Sequence, residues 1–103
     1  MYIVIWRYKV DPAQEAKFAK AYGPKGEWAK FFSSSKDYAG TELLADDERP
    51  GEYVTIDRWQ SEEAYSAFLG EHEEDYGRLD RRFESLTLSE SRLGAYGVAG
   101  AKA

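Results

Sequence analysis

Only one side chain in this sequence has an ordinary pKa near neutrality, the single histidine His72. It stands among Phe68, Leu69 and Tyr76 at helical spacing. There an imidazole either packs against its neighbours or takes a proton from a phenolic or enolic substrate. A second constellation is Asp57 with Trp59. Alternate residues of a strand share a face, so Tyr53-Val54-Thr55-Ile56-Asp57-Arg58-Trp59 sets this carboxylate and this indole on one side and Arg58 on the other. Asp57 could orient a substrate hydroxyl. Trp59 closes the strand just before a helix cap and is placed to stack on a planar ligand, as Trp6 and Trp28 could also do. Tyr65, on the helix that follows, adds a substrate contact, and Arg7 could stabilise a developing oxyanion. The catalytic candidates are therefore His72 and Asp57, and the substrate-binding candidates are Trp59, Trp6, Trp28, Tyr65 and Arg7. Each has a plainer alternative: a packed helix histidine, tryptophans buried in the core or in a subunit interface, Asp57 in a surface ion pair, Arg7 solvated at a strand end.

No cofactor is expected from these patterns. Gly23 to Gly26 interrupts a helix and does not join a strand to a helix, so it is no nucleotide loop. One histidine with scattered carboxylates gives no ligand spacing for a metal, and Glu71, Glu73, Glu74 and Asp75 form a solvated helix face. Any oxygenase reaction would then be cofactorless, with the substrate's own carbanion or phenolate reducing oxygen.

The elements that must hold these residues are legible. Tyr2 to Val10 alternates as a strand, with Tyr2, Val4, Trp6 and Tyr8 on one face and Ile3, Ile5, Arg7 and Lys9 on the other. Asp11-Pro12 starts a helix that runs through Phe18 and Tyr22. Gly23-Pro24 breaks it, and Glu27 to Phe32 resumes with Trp28, Phe31 and Phe32 on a shared face. Tyr38 to Ala45, with a bulge signal at Gly40, and Glu52 to Trp59 read as a hairpin with a charged, mobile tip at residues 46–51. A single helix is expected from Ser61 to about Asp80, and a last strand from Phe83 to about Leu93. The domain spans residues 1–96, and 97–103 is expected to be a flexible tail.

Strand, helix, strand, strand, helix, strand is the ferredoxin-like split βαβ sandwich, an α+β fold with both helices on one face of an antiparallel sheet. A first strand that is apolar on both sides implies that the other face is covered as well. In a chain of 103 residues the simplest cover is a second copy, a homodimer closed sheet to sheet. The formal charge of -5 argues against nucleic acid as a partner. With no cysteine, no apolar run of membrane-spanning length and no leader pattern at the start, a cytoplasmic protein without membrane association is expected. Aromatic residues at 16% leave an aromatic small molecule as the expected partner.

The residues also carry a resemblance. Thr55-Ile56-Asp57-Arg58-Trp59, a short gap and a helix opening with Glu and Ala resemble the junction of third strand and second helix in the antibiotic biosynthesis monooxygenase superfamily. Tyr38-Ala39-Gly40-Thr41-Glu42-Leu43-Leu44 is similar to its second strand. Tyr22 to Trp28 and Thr87 to Gly94 resemble an uncharacterised branch of it. The resemblance implies a dimeric α/β barrel, an aromatic-lined cavity between helices and sheet, and a cofactor-independent monooxygenase acting on an aromatic or quinone-like molecule. A non-catalytic ligand-binding or structural dimer is the alternative. Haem-degrading relatives share an asparagine on the first strand, a tryptophan after the third and a histidine on the second helix. Here Trp59 matches, Trp6 and Arg7 stand where the asparagine is wanted, and His72 comes about a turn late, with Phe68 and Leu69 nearer the position.

Overall fold

The computed structural model describes residues 1–100; the end of the expected tail, 101–103, lies outside the described residues. The elements in order are β1 (Tyr2–Val10), α1 (Glu15–Tyr22), α2 (Glu27–Phe32), β2 (Tyr38–Ala45), β3 (Glu52–Trp59), α3 (Glu62–Glu71), α4 (Glu73–Phe83) and β4 (Thr87–Gly97). One antiparallel sheet of order β2-β3-β1-β4 carries the helices on a single face, the expected ferredoxin-like arrangement.

Local chemistry accounts for the boundaries. The Asp11 carboxylate accepts from Ala13 N at 2.9 Å, and Pro12 opens a 3-10 turn, Pro12–Gln14, that leads into α1. Ser61 Oγ accepts from Ala64 N at 3.1 Å and caps α3. Gly40 has φ +117 where the β2–β3 register shifts between Tyr38 and Gly40, so the bulge sits where the glycine announced it. Gly26 is required by proximity: a Cβ there would lie 2.3 Å from the Lys20 carbonyl oxygen and 2.4 Å from that of Ala21.

Two expectations are corrected. The long second helix is two helices that meet at His72, whose backbone leaves helical geometry (φ -121, ψ 29). The stripe of Tyr65, Phe68, Leu69, Tyr76 and Leu79 gave no warning, because spacings of three and four survive a one-residue break. The last strand starts at Thr87 and not Phe83, since α4 and a 3-10 turn, Glu84–Leu86, use the intervening residues, and it continues to Gly97. The hairpin tip is also tied down. Asp46 Oδ1 accepts from Glu48 N and Arg49 N, and Arg7 Nη1 donates to Asp46 Oδ2 at 3.1 Å and to Glu52 Oε1 at 3.2 Å.

The register fixes the faces. Tyr2, Val4, Trp6 and Tyr8 of β1 pair with Trp59, Asp57, Thr55 and Tyr53 of β3, and all of them look toward the helices. The core between sheet and helices is aromatic: Tyr8, Phe18, Tyr22, Trp28, Phe32, Trp59 and Phe68 are buried there with Val10 and Leu86. Phe18 stacks on Tyr22 at 4.4 Å, and Trp28 meets Tyr76 at 5.1 Å. Such contacts each add about 0.5–1.5 kcal/mol beyond the burial of area. The opposite face carries Ile3, Ile5, Val54 and Ile56, with Leu44 and Tyr96 about half exposed.

Candidate functional site

Between the sheet and the helices lies a cavity lined by Trp6, Tyr8, Tyr22, Trp28, Phe32, Thr41, Thr55, Asp57, Tyr65, Tyr76, Asp80 and Glu90. It holds about 40 Å³ of free space, room for a few waters.

Asp57, a catalytic candidate from the sequence, lines this cavity. Strand alternation aims it from β3 into the helical face, and Val4 opposite it on β1 is apolar. Thr41, its cross-strand partner on β2, donates from Oγ1 to Asp57 Oδ1 at 2.5 Å. A threonine hydroxyl has one proton, so the hydrogen bond between Tyr38 and Thr41 is donated by the Tyr38 phenol. The result is a chain of hydroxyls, Tyr38 to Thr41 to Asp57, ending on a carboxylate. Desolvation pushes the Asp57 carboxyl up to about 6, against the lowering effect of the Thr41 hydrogen bond. The carboxyl is thus a stronger base than an ordinary aspartate and largely ionised at neutral pH.

The phenols around it stay protonated. Burial is the largest cause of the upward shift at Tyr8, Tyr65 and Tyr76, and it pushes Tyr22 up to about 12. Tyr8 is tied to Thr55 Oγ1 at 3.1 Å. The Trp28 indole N–H lies near the Tyr22 hydroxyl without hydrogen-bond geometry, and among the described residues no atom accepts from it. A buried donor left so is costly unless an acceptor arrives. Trp28 is thus a donor poised at the cavity wall.

Of the residues singled out from sequence, Trp6, Trp28, Asp57 and Tyr65 share this cavity. Trp59 does not line it. Completely buried, it packs at 5.3–5.5 Å against Phe32, Tyr38, Tyr65 and Phe68 and supports the wall from behind. His72 is also outside the lining. It marks the break between α3 and α4, with its ring 4.4 Å from Phe68 and 6.0 Å from Phe31. Arg7 lies on the far face of the sheet, bound to Asp46 and Glu52. The residues that sequence reasoning missed are Thr41 and Tyr38 behind Asp57, the cavity tyrosines Tyr22 and Tyr76, and the carboxyls Asp80 and Glu90. The signal for Thr41 was available: it alternates with Leu43 on the strand that the hairpin must pair with β3.

Fold and site together define a ferredoxin-like α+β domain with an aromatic cavity between sheet and helices. The family model for antibiotic biosynthesis monooxygenase matches residues 1–74, and the chain belongs to that family. Among solved structures it is similar to SnoaB, a cofactor-independent oxygenase from Streptomyces nogalater, with a TM-score of 0.69 at 20% identity over 94% of this chain and 91% of that one. It is also similar to a protein of the same family from Deinococcus radiodurans, with a TM-score of 0.76 at 14% identity over 98% and 95% of the two chains. A third, from Nitrosomonas europaea, gives 0.69 at 14% identity over 96% and 99%. At these identities the likeness is one of fold. No curated protein matches the chain.

Proposed function

We propose that the chain is a cofactor-independent monooxygenase acting on an aromatic or quinone-like molecule, with Asp57 as the general base. The observation that carries this reading is the Asp57 carboxylate, raised toward neutrality, held by Thr41 and facing an aromatic cavity. Asp57 takes a proton from an activated CH2 or hydroxyl of the substrate. The resulting carbanion or phenolate passes electrons to dioxygen, and a peroxide forms on carbon. Loss of water leaves a carbonyl, so that CH2 and O2 become C=O and H2O with no outside reductant. The negative charge on the substrate appears as the charge on Asp57 disappears, so the cavity gains no net charge in the step. Tyr38 and Thr41 hold Asp57 in place, and Trp28 N–H offers a hydrogen bond to an oxygen of the substrate.

Membership of the family supports an oxygenase, and the fold match to SnoaB supports the cofactor-independent kind. A haem-degrading role would want a histidine at the cavity, and His72 packs on Phe68 instead. The functional unit proposed is a homodimer, its two sheets closed over the apolar face of Ile3, Ile5, Val54 and Ile56. The test is oxygen uptake by the purified protein over a panel of anthrones and polyphenols with no cofactor added. Uptake that is lost in Asp57→Asn supports the reading. No uptake across the panel leaves the non-catalytic ligand-binding dimer in its place, and full uptake by the folded variant removes Asp57 as the base.

A further inference from the structure

We infer that the groove between α1, the start of α2 and the end of α4 binds a small organic phosphate carrying two or more negative charges. The groove is separate from the aromatic cavity, and no residue lines both. Lys17 and Lys20 of α1, Lys25 of the α1–α2 link, Lys30 of α2 and Arg82 of α4 converge on it. A single carboxylate, Glu27, stands among these five cations, in a chain whose net charge is -5. Its Oε2 lies 4.0 Å from Arg82 Nη1, at the limit of an ion pair. Among the described residues, none of the four lysines is in an ion pair. Their positive field is therefore open to an anion from solution.

Shape and floor set the size and kind of the ligand. The groove holds about 490 Å³ of free space, against about 40 Å³ in the aromatic cavity. Small-molecule sites span roughly 300–1,000 Å³. The floor is apolar: Ala21 and Leu86 are buried there, and the Phe83 ring lies 4.9 Å from the Arg82 guanidinium carbon. A ligand sets its charged end among the cations and its carbon frame on this floor. Ammonium groups act as point charges toward phosphate oxygens, and the arginine fork can hold two of those oxygens at once. Cations brought together from four segments of the chain are balanced by a dianion or more, and a lone carboxylate leaves most of them unanswered. A membrane headgroup is disfavoured, because no exposed large apolar side chain, such as Leu88 or Leu93, borders the groove.

The experiment titrates the full chain by calorimetry with pyrophosphate, ADP and adenosine at low salt. Pyrophosphate and ADP are expected to bind with dissociation constants of about 1 mM or lower, and adenosine is not expected to bind. Raising the salt from about 50 to about 300 mM weakens both phosphates roughly tenfold. The double variant Lys20→Gln with Lys25→Gln, folded by circular dichroism, loses about tenfold or more in affinity for ADP. Glu27→Gln, which removes the one carboxylate, tightens ADP about threefold. Lys36→Gln changes an exposed lysine outside the groove and leaves the affinity as it is. Failure of both phosphates to bind overturns the inference. So does adenosine binding as tightly as ADP, an unchanged affinity in the folded double variant, or an equal loss in Lys36→Gln. Neither Asp57 nor oxygen uptake enters this test, so the oxygenase reading stands or falls on its own assay.

Discussion

At the scale of the residue, the proposed function turns on one carboxyl group. Asp57 must be ionised to act as a base, so the rate with an activated phenol rises with pH through about 6 and levels off above it; a pH–rate profile checks this. The same shift acts on stability with a definite sign. The folded protein holds the Asp57 proton more tightly than the unfolded chain does. The contribution is therefore fully present below the ordinary value of 3.8 and is lost as pH rises toward about 6. Above that, the wild type carries a partly buried charge that Asp57→Asn lacks, while the amide oxygen can still accept from Thr41. The variant is thus expected to be inactive yet more stable at pH 7.5, with an advantage of at most about 3 kcal/mol that vanishes near pH 4. Paired thermal melts across that range measure it. His72→Ala is expected to do the reverse. It removes a ring that leans on Phe68 and costs about 1 kcal/mol of stability, while oxygen uptake stays within about twofold of wild type. Alternation along β3 was enough to put Asp57 on the same face as Trp59 from sequence, and the register then shows that this is the helical face. Periodicity could not expose the imidazole of His72 as a packing group, because a helix stripe says which side a residue is on and not whether a cavity lies there.

At the scale of the element, the aromatic wall depends on how closely α1 and α2 can approach. Gly26 makes this possible, with backbone oxygens of Lys20 and Ala21 filling the space a Cβ would take. Since φ at Gly26 is -86, the constraint is contact and not handedness. Gly26→Ala must push α2 away from α1, and with it Trp28 and Phe32, which are buried against Tyr22 and Trp59. The expected loss is about 2 kcal/mol or more, a fall in melting temperature of roughly 10 °C. Cavity ligands should weaken in parallel, since Trp28 and Phe32 line it. The sequence showed that the helix must break near Gly23-Pro24 and that Trp28, Phe31 and Phe32 share a face. It could not show the close approach, which joins residues through space and leaves no period in the chain. The pairing of Thr41 with Asp57 is different: it follows from regular register between Ala45–Tyr53 and Gly40–Arg58, and the shift lies beyond it, between Tyr38 and Gly40.

At the scale of the whole molecule, the sheet has one finished face and one unfinished one. The strand order was readable because each strand alternates and the charged turn forces a hairpin, and the two-sided apolar character of β1 pointed to a covering. The far face shows why. Ile5 sits opposite Ile56, Val54 opposite Leu44, and Ile3 beside Tyr96, with no helix above them among the described residues. Arg7, with Asp46 and Glu52, forms a polar end to this patch. An apolar sheet face of this kind is a liability in water unless something covers it. A two-fold axis would set each Ile56 near its own counterpart or near Ile5 of the partner, so one substitution acts twice. Ile56→Asp is therefore expected to convert a dimer into a monomer, raising the dimer dissociation constant about a hundredfold or more. The helical face, with Asp57 and Thr41, is left intact. Light scattering on both proteins gives the masses, and cavity affinity measured on the same samples shows whether the site is complete in one copy. A wild type that is monomeric at micromolar concentration, or a variant that keeps the dimer mass, would rule out closure through this face.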